Sequence, residues 1–424
     1  MNKEYQQKGG DMPNGEQGSG YKWWILVMVC LVQIFVIGTM WMCIPVLFGE
    51  MMAQNGWTIG QLMAAWGAIP LAIIFTNFPA GIIGDKFGIR WVIGLGIVAI
   101  AVVGAARGLV SSFTMFYVTM LAYGVVFPFA MALMPKALGS YFPPEQLGMA
   151  NGVGLGAYGL GAAGALQFSG TLISPAIGGY KNVILLYAGI CLVVGILWLL
   201  TVKEPPPAPV AADAGPAPSL MQLLIGLIKN PQVLVICVMY FMFLGGWIGM
   251  AGVYPSLGVA ARGLTHGQAA FPVTLALLVY VGGCFVFPTI SDKMGLRRPI
   301  YSICLLISGF GMFMTAVTSG YTMILVWAAV WGLTAGAIPI IFAVPFEMPS
   351  VGLALGGAAI GLILAAGNVG GFLFPTIIGK FSGGDPATSL LYVGILCGLF
   401  GYSGTGLVIW LVHETGPKAQ KAAG

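Results

Sequence analysis

The feature that most constrains the fold of this chain is a series of long apolar runs. Hydrophobic residues make up 58% of its 424 residues and charged residues 7%, which leaves too little polar surface to cover a soluble protein. Runs of about 20 residues cross ~30 Å of hydrocarbon as α-helix, and these lack the short alternation of a membrane barrel. We therefore predict an all-α membrane protein with twelve transmembrane helices, at roughly 22–48, 60–84, 91–111, 113–135, 148–172, 182–202, 231–258, 267–291, 299–318, 321–344, 352–378 and 387–412.

The second half of the chain repeats the first. The charged turn Gly81–Arg90 (GIIGDKFGIR) returns as Pro288–Arg298 (PTISDKMGLRR), 207 positions later, and Gly124 matches Gly332 at nearly the same offset. A constant offset is hard to obtain by chance, so we predict two pseudo-symmetric six-helix bundles with a substrate site between them near the midplane. The predicted parts are a tail (1–21), a first bundle (22–202), a Pro/Ala-rich linker (203–230), a second bundle (231–412) and a tail (413–424).

The basic residues predict the orientation in the membrane. With both termini in the cytoplasm, 13 of the 17 lysines and arginines fall on the cytoplasmic side, as the positive-inside rule requires. The net charge of +5 is therefore a topology signal and needs no nucleic-acid partner. We expect a multi-pass protein of the cell (inner) membrane, monomeric, without a cleaved targeting segment.

The twelve helices, the long central linker and the paired G-x-x-x-D-K-x-G-x-R turns resemble the major facilitator superfamily over essentially the whole chain. The second turn departs from the motif, because Pro288 stands where the family usually has its leading glycine. The resemblance implies that these turns latch the two halves on the cytoplasmic side while the cavity faces outward. The residues that would carry this gating role are Gly81, Asp85, Gly88, Arg90, Asp292, Gly295 and Arg297.

The residue types of the first turn also predict its local structure. Gly81 would let a neighbouring helix approach closely, Asp85 could cap a helix and pair with Arg90, and Gly88 permits a sharp turn. The alternative interpretation is an ordinary solvated charged loop.

Ionisable residues are absent from the middle of every predicted span. Buried ionisable groups in membrane helices usually mark proton relays or counter-ions for charged substrates. Arg107, Glu50, Arg262 and Glu347 all lie near helix ends, where interfacial anchoring is the expected role. The substrate would then be held by neutral dipoles, aromatic faces and helix ends, which suits a small monoanion, a weak acid that crosses with its proton, or an uncharged molecule.

The eleventh helix favours the anion interpretation. Its glycine-rich segment Gly356–Gly371 resembles that of the nitrate/nitrite porters and of other anion and organic-acid carriers in the superfamily. Nitrate itself is disfavoured, because Asn77 and Cys284 stand where an arginine would be expected. The polar or aromatic residues nearest mid-span on the predicted cavity helices are the candidate substrate-binding residues: Gln33, Trp41, Asn77, Tyr123, Tyr158, Tyr240, Trp247, Tyr280, Trp331 and Asn368.

Other functions remain as alternatives. Gly170–Gly179 resembles the antiporter signature of drug-efflux carriers, although it lies late in the fifth helix. A transporter-like nutrient sensor would need a larger cytoplasmic output surface, and no nucleophile–base pair, metal cluster or phosphate loop suggests an enzyme, a metal site or a cofactor. The expected partners are a small-molecule substrate, the lipid bilayer, and a co-transported proton or counter-substrate. Pro128 and Pro135 in the fourth helix, with Pro339 and Pro345 in the tenth, predict kinks.

Overall fold

The computed structural model describes residues 20–205, 226–416 and 418–419. Twelve of the described helices are long and apolar enough to span a membrane, as predicted, and their ends fall within a few residues of the predicted ones. Six lie in the first half: α1 Tyr21–Val46, α2 Ile59–Gly84, α3 Ile89–Leu109, α4 Phe113–Gly139, α5 Met149–Ile177 and α6 Tyr180–Thr201. Six lie in the second: α7 Pro231–Arg262, α8 His266–Met294, α9 Arg298–Val317, α10 Tyr321–Glu347, α11 Leu355–Phe381 and α12 Pro386–Leu411.

Equivalent helices of the two halves begin in the same way. Thr58 forms a capping box with Gln61 at the start of α2, and Thr265 forms the same box with Gln268 at the start of α8. Each box satisfies backbone N–H groups that the first turn of a helix leaves free. The 207-residue repeat therefore fixes helix starts as well as the charged turns.

The close contacts inside the two halves also repeat. A Cβ atom at Gly124 in α4 would lie 2.3 Å from the carbonyl oxygen of Ile69 in α2. A Cβ atom at Gly332 in α10 would lie 2.3 Å from the carbonyl oxygen of Ala276 in α8. Glycine is thus required at both positions so that the helix backbones can touch.

Helices α4 and α10 are broken beside two of the four prolines predicted to kink them, Pro135 and Pro339, whereas Pro128 and Pro345 lie inside continuous helical segments. Helix α4 breaks after Met131 and resumes at Met134, with Pro135 in its first turn. Helix α10 breaks after Ala335 and resumes at Pro339. Proline cannot donate an N–H bond within a helix and clashes with the preceding turn, so breaks at these points follow from the sequence.

Three further irregularities were not predicted. Helices α1, α5 and α12 each contain a π-helical stretch, at Val32–Gly38, Ser169–Ile173 and Gly394–Ser403 respectively. Such stretches change the direction of side chains along a helix and are frequent at functional sites. The first of them carries Gln33, one of the candidate binding residues.

The two halves meet on the membrane face opposite the termini and the linker, which we call the distal face. Here α2 and α11 touch through backbone, since a Cβ atom at Gly60 would lie 2.7 Å from the carbonyl oxygen of Gly379. Six residues further along α2, the Trp66 indole N–H donates to the carbonyl oxygen of Ile248 in α7 at 3.2 Å. These contacts between halves close the distal end of the space between the bundles.

Candidate functional site

A cavity of about 270 Å³ lies between the two bundles. Its walls come from α1, α2, α4 and α5 of the first half and from α7, α8, α10, α11 and α12 of the second. Nine of the ten candidate binding residues line it: Gln33, Trp41, Asn77, Tyr158, Tyr240, Trp247, Tyr280, Trp331 and Asn368. The tenth, Tyr123, is fully buried inside the first bundle and does not line the cavity.

The cavity wall is mainly aromatic, and each half contributes a comparable pair of rings. In the first half the ring of Trp41 (α1) meets Phe127 (α4) edge-on, with centroids 4.9 Å apart. In the second half Trp247 (α7) packs against Trp331 (α10) at 6.0 Å. Tyr402 of α12 packs against Trp331 at 6.1 Å and lines the cavity too, although it was not among the candidates. Rings of this kind offer apolar area together with a few polar edges.

The hydrogen-bonding groups of the wall are neutral. The indole N–H groups of Trp41 and Trp331 are buried and have no hydrogen-bond partner in the described protein. A buried donor without a partner costs free energy, so a bound acceptor would be favoured at each once a rotation of the ring brings its N–H to the cavity surface. Among the described residues that line this cavity, none is an Asp, Glu, Lys, Arg or His.

Further polar groups of the lining come from three amides, of Gln33, Asn77 and Asn368, from a third indole, of Trp247, and from four tyrosines, Tyr158, Tyr240, Tyr280 and Tyr402. The side-chain nitrogen of Asn368 donates to the carbonyl oxygen of Leu364, one turn earlier in the same helix, at 2.9 Å. This bond fixes the amide within α11 and does not connect helices. The amide oxygen of Asn368 is thereby left to accept a bond from elsewhere.

The structure corrects the expectation for Arg107. Its position near the end of α3 suggested interfacial anchoring, but its side chain is 0% exposed and points into the first bundle. One guanidinium nitrogen donates to the carbonyl oxygen of Met40 at 3.0 Å, and the guanidinium carbon lies 4.0 Å from the ring centroid of Tyr123. Hydropathy could not reveal this, because it does not report which way a terminal side chain faces.

The first charged turn differs in part from its predicted geometry. No atom lies within 4 Å of a Cβ placed at Gly81, so the predicted close helix approach is wrong there. It occurs instead at Gly84, where a Cβ would lie 2.5 Å from the side chain of Leu133. Gly88 has a φ of 84°, a conformation that favours glycine, in agreement with the predicted sharp turn. The side chain of Asp85 lies outside the described part of the structure.

A carboxylate from the end of the bundle caps the helix after this turn. Glu204 accepts hydrogen bonds from the backbone N–H groups of Ile89 and Arg90, at 2.8 and 2.9 Å, at the start of α3. The guanidinium of Arg90 donates to the carbonyl oxygen of Leu199 in α6. A negative charge at this place also complements the positive end of the helix dipole.

The second charged turn has the same cap. Glu414 accepts from the backbone N–H groups of Arg297 and Arg298 at the start of α9. The guanidinium of Arg297 also bridges Asp292 at 2.5 Å and Glu347 at 2.6 Å. The hydrogen bonds that Arg297 donates to Glu347, and to Asp292, raise the pKa of the Arg297 guanidinium above its ordinary value. The gating role of both turns stays a prediction.

Comparison with known proteins adds a family and a fold. The family described as Major Facilitator Superfamily matches residues 29–375. An uncharacterized protein of Archaeoglobus fulgidus is 27% identical over 172 residues, which are 40% of this chain and 77% of that protein. The tetracenomycin C resistance and export protein of Streptomyces glaucescens is 31% identical over 170 residues, which are 38% of this chain but only 31% of that protein.

Solved structures resemble the chain over almost its whole length. A bacterial homolog of the human lysosomal transporter Spinster, in an inward-facing and unoccupied conformation, matches with a TM-score of 0.72 over 93% of this chain and 96% of that one. The occupied inward-facing form of that homolog gives 0.71. At 14% and 15% identity, this similarity shows the fold alone.

Proposed function

The chain belongs to the Major Facilitator Superfamily, and we propose that it carries a small monocarboxylate or similar monoanion across a membrane by alternating access. Membership makes it a multi-pass membrane transporter and not an enzyme. The substrate class is our inference from the chemistry of the cavity. The observation that carries it is a neutral wall with two buried indole N–H groups, of Trp41 and Trp331, that have no protein partner.

The neutral wall favours a substrate with a single, delocalised charge. A divalent anion or a phosphate would need a bidentate cation such as arginine at the site, and none lines the cavity. A monocarboxylate can instead be held by neutral N–H donors, with its organic part against the aromatic rings. The indoles of Trp41 and Trp331 and the amides of Asn77 and Gln33 supply such donors.

The size of the cavity limits the substrate. Pockets for drug-sized ligands typically measure about 300–1,000 Å³. At about 270 Å³ the cavity lies just below this range, yet it exceeds what formate or nitrate would fill. A monocarboxylate with a short aliphatic or aromatic body fits best.

The same wall bears on the transport mode. A proton-coupled carrier usually holds its proton on a membrane-embedded carboxylate. Since the lining of this cavity has none, a coupled proton would travel on the weak acid itself, and the carrier would otherwise work as a uniporter or an exchanger. We place both termini in the cytoplasm and the protein in the cell (inner) membrane, as the excess of basic residues on the termini side predicts.

A second candidate is export of a neutral, partly apolar metabolite. The aromatic wall would bind such a molecule as readily as the body of an acid. One relative is named as a resistance and export protein, although this chain matches only 31% of its length. The two candidates differ in whether the transported molecule carries a charge.

Uptake into proteoliposomes tests the proposal. The labelled panel contains formate, acetate, lactate, oxalate, nitrate, cyanate and benzoate, with benzamide as the neutral partner of benzoate. We expect saturable uptake of a monocarboxylate, with stimulation by an inward proton gradient or by unlabelled acid inside the vesicle. Uptake of benzamide with none of the acids would reject the monoanion class in favour of neutral-metabolite export.

A further inference from the structure

Arg107 carries a charge buried in the first bundle without a matching acid. The side chain is 0% exposed and lies between α1, α3 and α4. Its contacts are the Met40 carbonyl oxygen at 3.0 Å, the Met120 sulfur at 4.0 Å and the face of the Tyr123 ring. Its Nε atom and the Tyr123 hydroxyl have no hydrogen-bond partner among the described residues. Taking an ion out of water is costly, so an arginine kept in such a place calls for an explanation.

In two other described arginines the charge is compensated by ion pairs or by several hydrogen bonds. Arg297 forms ion pairs with both Asp292 and Glu347. Arg262 donates to the backbone carbonyl oxygens at the end of α9 and to the hydroxyl of Tyr254. Arg107 has one carbonyl, one thioether and one ring face, and no described carboxylate lies within ion-pair distance of it. The Glu50 carboxylate of the same half is bound to Ser174 and to the backbone of Tyr180.

The charge of Arg107 lies directly behind the cavity wall. The carbonyl that it binds belongs to Met40, and the next residue, Trp41, lines the cavity. On its other side, Tyr123 packs against Phe127 with ring centroids 5.6 Å apart, and Phe127 packs against Trp41. On this side the rings of Tyr123 and Phe127 therefore lie between the guanidinium and the space between the bundles.

The field of a buried charge acts across such a layer. Coulomb interactions weaken slowly with distance where water is excluded, and rings and helix backbone provide little screening. The cavity lining has no charge of its own to oppose this field. A cation behind the wall makes the cavity electropositive without offering a substrate an ion pair.

We propose that Arg107 is the residue that makes the cavity prefer a monoanion to a neutral molecule of the same shape, acting through the wall formed by Trp41 and Phe127. This inference rests on the proposed function, because it explains how a wall without charged side chains selects a charged substrate. Arg107 is a positioning residue: it acts on the substrate through its electric field and does not touch it. An anion held in this way also leaves easily, since no direct salt bridge must break during transport.

The test compares an acid with its own amide. Calorimetric titration of the purified protein in detergent gives the Kd of benzoate and of benzamide for the wild type, for Arg107→Met and for Arg107→Lys. We expect Arg107→Met to weaken benzoate binding about 10-fold while benzamide binding changes less than about twofold, because a unit charge about 10 Å away, at an effective dielectric constant of about 20, changes the binding of a monoanion by roughly that factor. Arg107→Lys retains the charge and should bind benzoate as the wild type does.

A second variant, at Met120, controls for the possibility that Arg107→Met is misfolded. Met120→Glu leaves Arg107 in place and offers it a carboxylate at the position of the Met120 sulfur. We expect it to weaken benzoate binding as Arg107→Met does, whereas Met120→Gln, which is neutral, should not.

Each result decides the question. Equal weakening of benzoate and benzamide by Arg107→Met or by Met120→Glu would mean a purely structural role, and unchanged benzoate binding would mean that the field does not reach the site. Either result overturns the inference. If the wild-type protein transports no monoanion in the uptake panel, the proposed function itself fails, which is a separate outcome.

Discussion

Asn368 is the amide whose role in the site can be isolated most cleanly. The side-chain nitrogen of Asn368 donates within its own helix, so its side-chain oxygen is free to accept a hydrogen bond from a substrate. We predict that Asn368→Ala raises the KM for the transported acid about 10-fold, which is the effect of losing one hydrogen bond in a dry site, while folded protein is retained. Proteoliposome uptake kinetics measure the effect.

Asn151 in α5 provides the matched control. It makes the same bond to the carbonyl oxygen one turn earlier, from its nitrogen to Leu147 at 3.0 Å, but it does not line the cavity. Asn151→Ala should leave the KM unchanged. If both alanine variants behave alike, Asn368 acts through its helix and not on the substrate.

Single residues show where sequence reasoning succeeds and where it stops. Mid-span polar and aromatic residues on the cavity helices line the cavity, because the repeat and the membrane thickness fix their depth and the fold fixes their face. Tyr123 fails this rule since its face of α4 turns towards Arg107. Tyr402 was missed because α12 was not among the helices expected to line the cavity; the residue lies in the π-helical stretch of that helix.

At the scale of helices, glycine positions define how closely the backbones pack. We predict that Gly332→Ala destabilises the protein by about 1–3 kcal/mol, because the new Cβ would lie 2.3 Å from the Ala276 carbonyl oxygen and the helices must separate. Thermal unfolding in detergent measures the change.

Gly361 in α11 is the control position, since nothing lies within 4 Å of a Cβ there. Gly361→Ala should keep or slightly raise the unfolding temperature, because alanine favours helix. A similar fall for Gly332→Ala and Gly361→Ala would contradict the packing described for α8 and α10.

The two glutamate caps give a second prediction for the helices. Glu204→Gln and Glu414→Gln should each lower the free energy of unfolding by about 1 kcal/mol, as the loss of a helix cap does, and the two losses should add because the sites lie in different halves. Chemical unfolding of the single and double variants measures this. Lys380→Gln, at an exposed lysine near the end of α11, serves as the control, and a loss in that variant equal to those of the caps would refute the assignment.

Helix number and approximate ends followed from hydropathy, since the hydrocarbon thickness sets the length of a span. The breaks of α4 and α10 followed from their prolines. The π-helical stretches of α1, α5 and α12 did not, because one extra residue in a helix turn leaves no mark in an apolar sequence.

For the whole molecule, contact of the halves on the distal face would be one state of the alternating-access cycle that we propose. We predict that Gly60→Trp abolishes transport but leaves substrate binding intact. An indole at this position would collide with the Gly379 backbone and keep the distal end from closing. Uptake and calorimetric titration are measured on the same preparation.

Gly383, just beyond α11, is the control, because nothing lies within 4 Å of its Cβ position. Gly383→Trp should transport normally. Normal transport by Gly60→Trp would mean that closure of the distal face is not part of the cycle.

A crystal structure that locates the proposed substrate in the protein would test the proposed binding site. Crystals grown with 4-bromobenzoate, shown beforehand to compete for uptake, would reveal the bromine by its anomalous scattering. We predict one strong peak in the cavity between the halves, with the carboxylate beside the indole N–H of Trp41 or Trp331. A bromine peak elsewhere in the protein, with no acid in this cavity, would contradict the proposal that the cavity is the substrate-binding site.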